Sequence, residues 1–262
     1  MAGPLPCERM ARLTEIVADL DRLLDPEGFE DYGPNGLQVQ GAEEVTHVVT
    51  GVSASLELFE RAIEGGAQLI VTHHGLLWNA DDPRVVGARR ERLRALLRAD
   101  VSLVAYHLPL DAHPVVGNNA LIAAGLGLLD PEPFGRHRGR AIGVRARVPG
   151  EGIAATELVA RVAALTGREP LALPGGPDVV RSVGIVSGGG ARNVEEAIAA
   201  GLDAFITGEP AEWAAALARE AHIHFVAAGH HATETFGPQA LGEHLREHFG
   251  VRVTDIPIAN PV

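Results

Sequence analysis

"FERAIEGGAQLIVTHHG", residues 59–75, and "VEEAIAAGLDAFITGEP", residues 194–210, follow one pattern. A constant offset superposes Ala62 on Ala197, Ile63 on Ile198, Gly66 on Gly201 and Thr72 on Thr207. In each, apolar residues at helical spacing run into a glycine turn and then into a short β-branched run with a polar tip. A second echo follows each copy, "LVAYHLPLD" at 103–111 and "FVAAGHHATE" at 225–234, where one inserted residue aligns His107 with His230 and Asp111 with Glu234. Matches this short also arise among unrelated βαβ units, so descent from a duplication stays open. The chemistry does not depend on it: each half presents a histidine and, four residues on, a carboxylate, directly after an apolar strand.

Extending outward, helical stripes alternate with short β-branched runs, the pattern of α/β proteins with largely parallel sheets. "ERMARLTEIVADLDRLLD" carries a stripe of Met10, Leu13, Ile16, Val17, Leu20, Leu23 and Leu24. Strands are predicted at "VTHVVTGV", "AQLIVT", "VSLVAY", "AIGVRARV", "VRSVGIVS", "DAFIT" and "IHFVAA". Helices are predicted at about 55–65, 86–98, 117–126, 155–166, 191–200, 210–220 and 237–249. The Pro- and Gly-rich stretch "LLDPEPFGRHRG", 128–139, marks the boundary, so the expected organisation is two related α/β lobes, 1–128 and 129–262.

Composition narrows the function. The 22 basic residues stand against 34 acidic ones, a net charge of −12, which argues against a protein that coats nucleic acid phosphates or an anionic membrane. The single cysteine, Cys7, excludes both a disulfide framework and a thiolate metal site within one chain. No run approaches the roughly 20 apolar residues of a membrane span, and "MAGPLPCERMARL" lacks a signal-peptide core, so a cytoplasmic protein is expected.

The polar groups gather at the C-terminal ends of predicted strands, where open α/β sheets place their sites. "LIVTHHG" delivers His73 and His74, "VAYHLPLD" delivers His107 and Asp111, and "VAAGHHATE" delivers His230, His231 and Glu234. Imidazole and carboxylate without sulfur suit zinc, iron, manganese, nickel or cobalt ions. Neighbouring side chains on a strand point to opposite faces, so His73 and His74 are expected to serve two ions rather than chelate one. A bridging Asp111 or Glu234 would then give a two-metal hydrolytic site. The remaining histidines, His47, His113, His137, His222, His224, His244 and His248, take ordinary structural or solvated roles.

Other motifs have plainer readings. "DYGPNGLQVQG", 31–41, reads as a turn around Asn35 and Gly36, with a contribution to the site left open. "VGNNALIAAGLGL" starts a helix capped by Gly117 or Asn118. "GIVSGGGARN" suggests a phosphate loop but lacks the P-loop lysine and the full dinucleotide fingerprint. "RVVGARRERLRALLRAD" is an arginine-rich helix, its arginines solvated and Val85, Leu93, Leu96 and Leu97 turned inward.

Taken together, "PNGLQVQG", "LIVTHHGLLW", "AYHLPLDAHPVVGNNALIAAGLGL", "AFITGEP" and "AAGHHATETFGPQALGEHL" resemble the Nif-three-like, YbgI-type dinuclear-metal family, whose members carry the name GTP cyclohydrolase I type 2. The likeness runs nearly end to end and is to the short bacterial form. It implies metal ligands at His73, His74, Asp111, His230 and Glu234, with His107 lining the site. His107 or His231 would shuttle protons. Leu108 and Pro109 stand where the family's commoner wording has polar residues, which removes a hydroxyl and a backbone N–H beside the site. The resemblance further implies a toroidal homohexamer with the metal site between the two lobes, holding two divalent ions per subunit (zinc, iron, manganese or nickel), and a nucleotide substrate opened by hydrolysis. Two other classes stay open: a metal-binding regulatory or scaffold ring, and a ring admitting nucleic acid, for which the arginines from Arg84 to Arg98 would have to line the hole.

Overall fold

The computed structural model describes residues 9–262; Cys7 lies outside them. The chain builds one series of elements twice. The first series is β1 (Ala11–Arg12), α1 (Leu13–Leu24), β2 (Gly36–Val39), β3 (Glu44–Val45), β4 (His47–Ser53), α2 (Leu56–Glu64), β5 (Leu69–His74), α3 (Gly87–Ala99) and β6 (Ser102–Ala105). Helices α4 (Leu108–Ala112) and α5 (Asn118–Gly125) follow, then a hairpin of β7 (Leu129–His137) and β8 (Arg140–Arg147). The second series is β9 (Ile153–Ala154), α6 (Ala155–Thr166), β10 (Leu171–Leu173), β11 (Val179–Val180), β12 (Ser182–Val186), α7 (Val194–Ala199), β13 (Ala204–Thr207), α8 (Ala214–Glu220) and β14 (His224–Ala227). It too ends in a helix pair, α9 (His230–Thr233) and α10 (Phe236–Phe249), before a last strand, β15 (Arg252–Asp255).

The pairings repeat as well as the order. In the first series β4, β5 and β6 are parallel neighbours, β2 runs antiparallel beside β6, and β1 pairs with β3. In the second, β12, β13 and β14 are parallel neighbours, β10 runs antiparallel beside β14, and β9 pairs with β11. The echo in the sequence is thus one of topology. The sheets differ at their other edges: β15 lies parallel to β4, giving the order β15-β4-β5-β6-β2, whereas the β7–β8 hairpin adds antiparallel to β12, giving β10-β14-β13-β12-β8-β7.

Two compact units result: residues 1–107 with 238–259, and 108–237 with 260–262. The division differs from the expected 128/129 boundary in two ways. The chain leaves the first unit right after His107, so Asp111 belongs to the second. Its end returns to the first unit, because β15 completes that sheet and Thr50 donates to Asp255 at 2.8 Å. The stretch 128–139 is not a linker but contains the whole of β7. Its prolines, Pro131 and Pro133, are tolerated because β7 is the sheet's edge, where a missing N–H breaks no inner ladder.

Burial follows strand position. The central strands are buried on both faces, as parallel strands covered by helices must be. In the second unit alternate residues of β13 feed two cores: Ala204 and Ile206 join Val183, Ile185 and Val226, while Phe205 packs with Phe134 and Phe225 on the opposite face. In the first unit Val49, Ile70 and Leu103 meet Leu58, Phe59, Ala62 and Leu96 from α2 and α3. Helix α1 buries Leu13, Ile16, Leu20 and Leu24; Met10 precedes it and is exposed. Helix α3 departs from its predicted stripe: Leu96 is fully buried, but Leu97 is 63% exposed and Val85, ahead of the helix, 52% exposed. Adjacent residues on a helix lie about 100° apart, and the buried face of α3 is narrow, holding Leu96 while Leu97 points to solvent. None of the helices among the described residues is long and apolar enough to cross a membrane.

Candidate metal centre

The first unit gathers three imidazoles. His73 and His74 end β5 and His107 follows β6 by two residues; each offers a nitrogen within 4.8 Å of the other two. The expected divergence of His73 and His74 is not seen, since their rings lie 4.8 Å apart, tilted by 43°. Each ring is oriented through Nδ1. His73 Nδ1 donates to the Tyr106 carbonyl at 3.1 Å, His74 Nδ1 bonds Ser53 Oγ at 3.2 Å, and His107 Nδ1 meets Asp31 Oδ1 at 2.7 Å. A donating Nδ1–H leaves the lone pair on Nε2, and such outer partners orient and strengthen metal-binding histidines. Trp78 stands edge-on to His107, ring centroids 5.4 Å apart.

The second unit gathers one imidazole and two carboxylates. Asp111, on α4, and Glu234, just past α9, bring carboxylate oxygens within 4.8 Å of each other, and His230 Nε2 lies 3.1 Å from Glu234 Oε1. Both carboxylates are buried. Asp111 is bracketed by Asn118 Nδ2 at 2.9 Å and Ser187 Oγ at 3.1 Å, both on Oδ1. Glu209, which takes the place of His74 in the repeat, holds His230 Nδ1 at 2.7 Å. Burial opposes a charge on His230, but Glu234 and Glu209 outweigh it and raise its pKa from the ordinary 6.5 to about 9. The ring is therefore protonated at neutral pH when no ion competes for its nitrogen.

Both groups fit a divalent ion. The first offers three imidazole nitrogens and the second an imidazole with carboxylate oxygens, donors that zinc, iron and manganese accept, held a few ångströms apart behind oriented outer partners.

The structure also assigns work to motifs that read as plain turns and caps. Asn118 and Asn119 are fully buried, and the cap of α5 is Gly117 rather than either side chain. Asn118 Oδ1 accepts from the Gly237 N–H at 2.7 Å while its nitrogen serves Asp111. Asn119 spans from the Ile142 carbonyl to the Ser187 N–H. "GIVSGGGARN" cradles a carboxylate rather than a phosphate: Gly188 sits at φ +58°, and a Cβ there would lie 2.0 Å from Glu234 Oε1. Asp31 and Asn35, inside the turn at 31–41, both contact His107. His231 joins neither donor group; its N–H donates to the Val262 carbonyl at 3.0 Å.

The model of one family, DUF34/NIF3 (NGG1p interacting factor 3), matches residues 11–261. The chain belongs to the DUF34/NIF3 family. Relatives named "GTP cyclohydrolase 1 type 2 homolog" include one from Pseudomonas aeruginosa, 42% identical over 249 residues, covering 95% of this chain and 98% of its own. Another from Escherichia coli K12 is 43% identical over 255 residues, with the same coverages. Among solved structures, protein ybgI, described as of unknown function, superposes with a TM-score of 0.91 at 41% identity over 96% of this chain and 100% of its own. TTHA1606 from Thermus thermophilus does so at 0.89 and 35%, again over 96% and 100%. The mixed α/β fold and the resemblance read from the sequence are thereby borne out.

Proposed function

We propose that this DUF34/NIF3 chain is a dinuclear-metal-dependent hydrolase that opens the purine ring of GTP or a related heterocycle. One observation carries the reading: His73, His74 and His107, at and just after the ends of β5 and β6, offer nitrogens within 4.8 Å of one another, while Asp111, on α4, and His230, just after β14, each bring a donor atom within 4.8 Å of a Glu234 oxygen. The relatives' names support the choice of reaction. In this reading His73, His74, Asp111, His230 and Glu234 hold two divalent ions in each subunit of a cytoplasmic homohexamer. When bound, such a pair acidifies coordinated water and polarises the carbon under attack.

The chain's own residues do the rest. His107 moves the water's protons: as the water oxygen adds to C8 one proton goes to N7, and as the C8–N9 bond breaks the hydroxyl proton goes to N9, which leaves a formyl group on N7 that a second water releases as formate. His231 is the second candidate for this transfer. Ser187 and Asn118 hold Asp111, and Glu209 holds His230, so neither donor needs to reorient when a substrate arrives.

Metal analysis joined to an assay tests this. Wild type should carry close to two divalent ions per chain, consume GTP and release formate. His74→Ala and Glu234→Gln should lose at least one ion together with turnover. His107→Ala should keep its ions and turn over about 10²-fold more slowly, with His231→Ala assayed beside it. A protein without metal after reconstitution with zinc, manganese or iron would remove the site. Fully metallated protein inert toward GTP, other nucleotides and phosphoesters would leave the regulatory or scaffold ring as the better account.

A further inference from the structure

A network around residues 31–35 has its hydrogen-bond directions decided by backbone groups. The Tyr32 N–H donates to Asp31 Oδ1 at 2.6 Å, and the His107 N–H donates to Asn35 Oδ1 at 2.8 Å. A backbone N–H can only donate, so both acceptors are fixed. With its oxygen on the His107 N–H, Asn35 turns its amide nitrogen, again a donor, to Asp31 Oδ2 at 2.9 Å. Asp31 therefore accepts at both oxygens. His107 Nδ1, 2.7 Å from Oδ1, must bring a proton of its own. The Asp31 side chain is only 2% exposed, which keeps bulk water from competing for these positions.

We propose that Asp31 and Asn35 are positioning residues that lock His107 in the Nδ1–H tautomer and leave Nε2 as its acceptor within the three-histidine group. The grip is double. Asn35 holds the backbone of His107 and Asp31 its ring, which together set where the imidazole sits and how it is rotated. The loop is also lashed to the segment that follows His73 and His74. The Asn79 N–H donates to the Tyr32 carbonyl at 2.8 Å, and Asn79 Nδ2 donates to the Asp31 carbonyl at 3.1 Å. The loop that orients His107 is thereby registered to the strand that carries its two neighbours. Free neutral imidazole in water favours a proton on Nε2; the neighbour on Nδ1 reverses that choice. What Nε2 acts on rests on the proposed function, but the tautomer does not.

Long-range 1H–15N correlation spectra of 15N-labelled, metal-free protein read the tautomer directly. Wild-type His107 should show a pyrrole-type Nδ1 and a pyridine-type Nε2. In Asp31→Asn one acceptor oxygen becomes a donor among groups that already donate, and Asp31→Ala removes the acceptor altogether. Both should return His107 to the Nε2–H form while the other histidine signals persist. A wild-type His107 found as Nε2–H overturns the proposal without any variant, as does a Nδ1–H form that survives in both variants. In the assay, Asp31→Asn should keep its metals and lose about 10²-fold or more in kcat, since asparagine at a histidine-orienting position selects the wrong tautomer. A switched tautomer with full activity would overturn the positioning role. If wild type hydrolyses nothing, the hydrolase reading falls and the tautomer result is judged by the spectra.

Discussion

Gly188 is a single residue that leaves room for Glu234, a candidate metal donor of the second unit. Its φ of +58° lies in the left-handed region, and the space a side chain would need is taken by Glu234 Oε1, 2.0 Å from an ideal Cβ. Gly188→Ala therefore combines backbone strain of about 1–2 kcal/mol with displacement of a buried carboxylate. The expected outcome is a lower urea midpoint together with loss of bound metal, measured by denaturation and elemental analysis on the same preparation. An alanine variant that keeps both would show that Glu234 has room to move, contrary to this geometry. Gly201→Ala is a useful comparison, because φ there is +67° but nothing lies within 4 Å of a Cβ. It should lose stability alone.

At the scale of elements, the strands that carry the site are stiffened by what lies behind them. Phe205 of β13 stands opposite Phe225 of β14 in register, ring centroids 5.8 Å apart, and Phe134 of the edge strand β7 closes the row at 6.4 Å. Phe205 is fully buried. Phe205→Ala should cost about 3–5 kcal/mol, the usual range for emptying a large core position, and chemical denaturation reads it. A loss below about 1 kcal/mol would mean that the core collapses into the space. The row also shows what sequence reading misses at this scale. β7 was hidden because two prolines and two glycines read as a boundary, although an edge strand tolerates them. β2 and β15 were hidden because, as short edge strands open to solvent, they lack the continuous apolar run that marks the equally short inner strands β6, β13 and β14. The edge strand β10 was hidden because its Leu-Ala-Leu holds no β-branched or aromatic residue.

At the scale of the molecule, the two units are completed by exchange of chain. The helix pair after β6 belongs to the second unit, and nearly all of α10, with β15, belongs to the first. Leu241 and Leu245 of α10 are fully buried, so removing the C-terminal segment strips core from the first unit and opens the β4 edge of its sheet. A fragment of residues 1–128, cut where composition changes, should therefore lack a cooperative thermal transition when expressed alone. Circular dichroism and amide spectra measure this. A fragment 1–128 with native-like dispersed amide signals would contradict the dependence. Along the sequence, the chain leaves the first unit directly after His107 and returns to it at Pro238, shortly after Glu234.

Much of this protein was determined by local order in its sequence. Helix and strand periodicity placed the repeated βαβαβ units, and the polar tips after apolar runs pointed to His73, His74, His107, Asp111, His230 and Glu234, because side chains at strand ends gather wherever parallel strands align. Only the tertiary structure decided which partners orient those side chains. Asp31 reaches His107 across 76 positions of chain, Ser187 reaches Asp111 across another 76, and Gly188 matters solely through a glutamate far along the sequence. A turn residue, a cap asparagine and a loop glycine look ordinary in isolation, since hydrogen-bond direction and steric room belong to pairs that only folding brings together.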